Sequence, residues 1–454
     1  MHGHSTAAVA PRMGGAMEIP DRLNGWVLAF GTLLLLAIAL FPSVWIGGAG
    51  LGLIGWYSRR FWSAEDAIWA MLIVACVWAS SRSGGLQYWK WMRFIPAVAL
   101  LGHAFKKLRS GTRALRASWL SFTLLVLVIT GFPGLLSKTP GSAFFETVLL
   151  STLWPCYLIL CMPQNEKAWV ARESMVFHVG AVVLLAAVVL RMLNPELSHL
   201  DSRWRGMFGN PNEFSHWWLL MFVVLGVRGL RQTGTKYAFW TLVTAGILAL
   251  TATRGALIGI VLSGMGFVFA RARIGTVKGL VFLACIAVAA VVYTDEVVGW
   301  AKDVLPEYLV REENLELGGG RLVAWEFGWA EVMKEPWWGH GGGYEEQIFK
   351  EFEAYLSLRN HQGFSHNSWL AFAINYGIPG ATLLFVALFT RLKLFTSPFA
   401  LLALPPIVVS LVVEGWLTAP LSASAPLFFA VSGLTGAWKA SMDHPTQQKP
   451  EHES

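Results

Sequence analysis

The sequence predicts an all-α polytopic membrane protein of about 12–14 transmembrane helices, with a long helical extracytoplasmic loop before the last spans. Three observations lead there. Of the 454 residues, 55% are hydrophobic and 14% charged, against about 25% charged in soluble domains. Apolar runs recur along the whole chain at the length a bilayer span needs, about 20 residues. The 23 tryptophans suit a chain with many membrane interfaces, where indole rings concentrate.

The candidate spans, in order, are 26–41, 44–57, 64–80, 91–105, 117–135, 145–162, 174–191, 213–227, 236–251, 255–270, 278–293, 367–390, 399–413 and 422–438. Residues 26–57 are open to a second reading, one long helix followed by a re-entrant piece. The membrane domain thus covers 26–439. Residues 1–25 and 440–454 read as disordered cytoplasmic tails, and the first has no apolar stretch of the signal-peptide kind.

With the N-terminus in the cytoplasm, Arg59, Arg60, Lys106, Lys107, Arg109, Arg172, Arg228 and Arg391 fall on the inner side, as the positive-inside rule asks. The stretch Arg82 to Arg93 is an exception, because it puts basic residues outside. The net charge of +7 is therefore a topology signal and gives no reason to expect nucleic acid as a partner. Cys76, Cys156, Cys161 and Cys285 lie in apolar runs without metal-ligand spacing and read as small core side chains.

The same topology leaves some arginines outside, where it gives no reason for them. Arg203 and Arg205 precede Gly206, Gly209 and the triplet Asn210-Pro211-Asn212. That triplet reads as a helix start, with Asn210 as N-cap, Pro211 at N1 and Glu213 at N3 to close a capping box. A helix N-terminus beside arginines is how a phosphate or pyrophosphate site is built. The other reading is a pair of arginines snorkelling to lipid phosphates. Arg254, in a short turn between two spans, is either a functional arginine or a helix-end anchor.

The loop 293–366 is longer than an ordinary connection and carries helical pattern. Leu322, Trp325, Trp329 and Val332 recur at helical spacing within Arg321 to Lys334, as do Ile348, Phe349, Phe352, Tyr355 and Leu356 within Tyr344 to Leu358. The loop is expected to form an ordered cap on the outer face. Arg321 follows three glycines, and PWWGHGGG (336–343) closes the segment with glycines that permit close backbone approach. His366 and Asn367 open the next span, where Ser365 or Asn367 can cap the helix. His366 is either a base poised near neutral pH or a structural interface histidine, with His340 and His361 as nearby competitors. Glu414 either pairs with one of the arginines or simply sits at the interface. No P-loop, zinc spacing or nucleophile elbow occurs, and arginines can neutralise a pyrophosphate without a metal.

Four stretches in order, RWRGMFGNPN (203–212), TATRGA (251–256), GRLVAWEFGWAEVMKEPWWGHGGG (320–343) and HNSWLAFAINYGIPG (366–380), resemble the O-antigen ligase and polymerase superfamily of bacterial envelope glycosyltransferases. The resemblance implies a GT-C-type fold in the bacterial inner membrane, with its active site on the periplasmic side. It implies an inverting, metal-independent enzyme without a cofactor. Such an enzyme takes a glycan from an undecaprenyl-pyrophosphate donor and passes it to a lipid A-core type acceptor, as a ligase does. A polymerase of the same superfamily, acting on another lipid-linked glycan, is the alternative. By motif position it implies Arg203, Arg321 and His366 as catalytic. Arg205, Asn210, Asn212, Arg254, His340 and Asn367 would bind substrate, and there would be no metal ligand. A lipid-linked glycan transporter would share the arginines, but it calls for ionisable groups deep in several spans, and few such charges occur here.

Overall fold

The computed structural model describes residues 31–33, 44–59, 62–80, 89–200, 203–231, 235–251, 253–272, 274–292, 321–358, 363–397 and 399–436. Most of the first candidate span and the first part of the outer loop, 293–320, lie outside the described residues. The other candidate spans are all helices. They are α1 (Val44–Ser58), α2 (Ala64–Ala79), α3 (Phe94–Ser110), α4 (Arg113–Leu135), α5 (Pro140–Cys161), α6 (Glu166–Leu193), α7 (Pro211–Arg231), α8 (Thr235–Leu250), α9 (Arg254–Arg271) and α10 (Thr276–Val292). After the outer loop follow α13 (Ser368–Arg391), α14 (Ala400–Val413) and α15 (Ser424–Gly436). The loop contributes α11 (Arg321–Lys334) and α12 (Tyr344–Glu351), with a short turn at Glu353–Ser357. The protein is an all-α polytopic membrane protein. α4, α5, α6 and α13 are each long and apolar enough to cross a bilayer.

Local chemistry sets the helix starts. Ser63, Thr112, Asn165 and Asn367 accept hydrogen bonds from the backbone N–H of Asp66, Leu115, Ala168 and Leu370, each satisfying a donor the helix leaves unpaired. Asn210 does the same for Asn212 at the start of α7, at 2.8 Å. The predicted capping partner Glu213 accepts from Ser80 Oγ at 2.8 Å.

α7 is the middle of the bundle and packs on α6, α8, α9, α14 and α15. Phe214, Trp217, Leu219, Leu220 and Val223 are buried, so it is apolar all round, as a central membrane helix is.

Hydrogen bonds sort the connections into two ends. At one end, Ser80 meets Glu213 and Arg93 donates to the Leu421 carbonyl. Arg203 meets Thr251 and Thr253, and Arg321 meets Glu414 there too. At the other end, Arg172 meets Glu65 and Asp66, Lys107 donates to the Ile159 carbonyl, Arg228 pairs with Glu173, and Arg391 bonds Ser118. A chain that crosses back and forth must sort its loops this way. Of the basic residues assigned to the inner side, Lys107, Arg172, Arg228 and Arg391 gather at this second end. Arg172 is buried there, with Nη2 2.6 Å from Glu65 Oε1, Nε on the Asp66 carboxylate and Nη1 on the Leu160 carbonyl.

α13 is broken. Gly377 has φ +73° and ψ 167°, and Pro379 follows, so the carbonyls upstream lose helical donors. The glycine-rich turn of the outer loop supplies them. His340 and Gly341 donate to the Ile374 and Asn375 carbonyls, and Ile378 donates to the Pro336 carbonyl. A Cβ on Gly339 would lie 2.5 Å from the backbone of α13, which is why glycine is required at this close approach. The cap is thereby docked onto the helix that begins with the His366 segment.

Candidate active site

The first predicted element is Arg203. It sits in a minimal antiparallel hairpin of His199–Leu200 with Arg203–Trp204, in register His199 opposite Trp204. Its guanidinium donates to the Thr251 carbonyl at 2.8 Å, to Asn212 Oδ1 at 2.6 Å and to Thr253 Oγ1 at 2.8 Å. Arg203 thus ties the first turn of α7 to the α8–α9 turn, using the guanidinium fork on three acceptors. Arg205 turns the other way, to the Leu197 and Gly209 carbonyls at 3.1 and 3.5 Å. The two neighbouring arginines are therefore separated by geometry, and it is Arg203 that reaches the capped helix start. Arg254 is the first residue of α9, beside the Thr253 that Arg203 holds. The placement of its side chain is outside what is described.

The second element joins three residues that are far apart in the chain. Arg321 Nη2 is 3.3 Å from Glu414 Oε1, and His366 Nδ1 is 3.4 Å from Glu414 Oε2. Glu414 is the C-cap of α14, and its side chain is 13% exposed. Burial by itself would push its carboxyl up. The His366 hydrogen bond and the fields of His366, His216 and Arg321 outweigh that and hold it down, at about 2. An ionised carboxylate accepts only, so it selects the His366 tautomer with the proton on Nδ1 and the lone pair on Nε2. Among the described residues Arg321 has no hydrogen-bond partner but Glu414, so its remaining N–H groups are available to an anion.

His366 is held in an unusual backbone conformation, φ +47°. A non-glycine residue there costs about 1–3 kcal/mol and persists only when its surroundings fix it. They do so on both sides. The Ser365 N–H donates to Glu345 Oε1 at 2.8 Å, and Trp325 Nε1 donates to the Ser365 carbonyl at 3.0 Å. On the other side Asn367 caps α13, and Ser368 Oγ donates to the Glu414 carbonyl at 2.8 Å. The outer-loop helices therefore position the histidine. Burial pushes the Glu345 carboxyl up.

His340 belongs elsewhere. Its Nε2 lies 3.1 Å from the Glu331 carbonyl, and its ring stacks on Tyr344 at 4.2 Å, where it supports the docked turn. Two residues that sequence reasoning did not assign join the site. Glu414 was open between two roles, and its neighbours Glu-Gly-Trp gave no reason to choose. His216 has no motif to announce it. It lies buried in α7, within the field of Glu414, Arg321 and His366.

An open apolar groove of about 490 Å³ runs along α6 and α8 at the same end, lined by Leu184, Val188, Ile247 and Leu250. Arg191 and Trp204 stand at its rim, with the Arg191 guanidinium 5.7 Å from the indole centre. Among the described residues no cluster of three His, Cys, Asp or Glu side chains is arranged to hold a metal ion.

Fold and site define a many-helix membrane protein with a cationic, histidine-bearing polar site at one end of its bundle, capped by a helical loop. The family model described as O-Antigen ligase matches residues 238–385, about a third of the chain, which supports the resemblance to the O-antigen ligase and polymerase superfamily. The matched segment contains Arg254, Arg321, His340, His366 and Asn367 and leaves Arg203, His216 and Glu414 outside. No curated protein matches the chain.

Proposed function

We propose that this protein transfers a glycan from undecaprenyl pyrophosphate to a lipid A-core type acceptor, as an inverting, metal-independent O-antigen ligase. The observation that carries this reading is the Arg321–Glu414–His366 constellation, in which one carboxylate aligns a cation and a base. Glu414 keeps the imidazole proton on Nδ1. His366 Nε2 then accepts the proton of the acceptor hydroxyl as its oxygen attacks the anomeric carbon. The bond from that carbon to the phosphate oxygen breaks, and the electron pair leaves with the pyrophosphate. Arg321 takes up the charge developing there. Arg203 and Asn210 set the start of α7, so that its N-terminal N–H groups and dipole add to the anion site. The α6–α8 groove suits the isoprenoid chain, with Arg191 at its rim for phosphate. The inside-basic charge pattern supports placing this end on the periplasmic side of the inner membrane.

The test is glycan transfer in cells or proteoliposomes. Arg321→Ala and His366→Ala should each lower it by about 10²–10⁴-fold while insertion stays intact. Full activity in both variants refutes the mechanism. In a deletion strain, lipopolysaccharide core without polymer is the ligase outcome, and core bearing one repeat identifies a polymerase instead.

A further inference from the structure

α7 carries a second histidine that the transfer steps above do not use. His216 lies one helical turn below Asn212 on the same face, and Asn212 is the residue Arg203 holds. The His216 side chain is 0% exposed. Both ring nitrogens are buried and have no hydrogen-bond partner among the described residues. The groups whose fields reach it are Glu414, Arg321 and His366, which are the members of the candidate active site.

Buried polar atoms are nearly always bonded, and an exception calls for a reason. Several buried tryptophan N–H groups are unpaired here as well, but each is one donor on a large apolar ring. A neutral imidazole has a donor and an acceptor. An apolar residue of similar size would avoid leaving both unpaired, so stability gives no reason for a histidine at this position. The two ring nitrogens face nearly opposite ways, so a ligand that satisfies both must place an acceptor on one side of the ring and a donor on the other. A glycosyl pyrophosphate carries both kinds of group, phosphate oxygens and sugar hydroxyls.

We propose that His216 is a donor-binding residue, whose ring N–H bonds a phosphate oxygen of the lipid-linked donor while its other nitrogen, facing the opposite way, accepts from a hydroxyl of the donor sugar. This assignment rests on the donor reading given under the proposed function. The probe is undecaprenyl diphosphate, added to the full-length protein in nanodiscs. His216→Phe should weaken its binding by about tenfold, the effect of one lost hydrogen bond to a charged group, and should leave the thermal midpoint unchanged or raised. His216→Leu serves as a second variant should the larger ring not fit. Unchanged binding of the probe, or a fall of the midpoint in both variants, overturns the assignment and makes His216 a structural residue. Arg321→Ala separates the two levels. If it loses the probe while His216→Phe retains it, only the His216 role fails. If Arg321→Ala also binds as the wild type does, the donor reading itself fails.

Discussion

Glu414→Gln isolates the charge that joins Arg321 to His366. The Glu414 carboxyl titrates at about 2 where an ordinary glutamate titrates at 4.5. At about 1.4 kcal/mol for each tenfold, its surroundings favour the ionised form by about 3 kcal/mol. Because the folded value is depressed, this stability is fully present above about pH 4.5 and is lost as pH falls toward 2. At pH 7 the amide variant should therefore be less stable by about 3 kcal/mol, and at pH 3 the gap should shrink to less than half of that. Other carboxyls titrate in the same window, so the readout is the difference between wild type and variant, not either curve alone. Tryptophan fluorescence during heating of the detergent-solubilised protein, at several pH values, measures it. A gap that stays constant from pH 7 to pH 3, or no gap at all, refutes the ionised bridge. Transfer activity at pH 7 should fall as well, because the imidazole loses the group that fixes its tautomer.

Arg172→Ala should cost about 3–5 kcal/mol, because it leaves Glu65 and Asp66 without the buried cation they share. Arg172→Lys should not restore it, since one ammonium cannot span both carboxylates and the Leu160 carbonyl. A thermal midpoint unchanged in Arg172→Ala would contradict this, and transfer per folded molecule should stay near wild type because the cluster lies at the opposite end from Glu414. Adding EDTA should leave glycan transfer intact. Loss of transfer that magnesium restores would point to a metal-dependent enzyme instead.

Much of the fold was legible because it depends on short-range pattern. Each described span from 44–57 onward is helical, since hydropathy over about 20 residues decides a span without reference to its neighbours. The outer-loop helix Arg321–Lys334 and the start of the next at Tyr344 fell where the spacing of apolar residues put them. The second segment did not run on to Leu358 as one helix, but breaks near Phe352. Asn210 caps α7 as its Asn-Pro-Asn setting implies, because a cap is a matter of three adjacent residues. PWWGHGGG was readable as a place of close approach, but not what it approaches. Its partner is the break in α13, whose carbonyls it satisfies.

The sequence by itself determined a membrane bundle, the helices at Arg321–Lys334 and from Tyr344 in the segment before the last spans, and the arginines and histidine worth watching. Only the tertiary structure decided which of them meet. Arg321, His366 and Glu414 lie in three separate elements, and no local signal encodes the single carboxylate that two of them share. The left-handed backbone at His366 is likewise invisible in sequence, because Glu345 and Trp325 impose it through Ser365 from other helices. His216 looks like any residue of an apolar run until the fold buries it within the field of that carboxylate. Helices follow from neighbours along the chain, whereas an active site follows from neighbours in space.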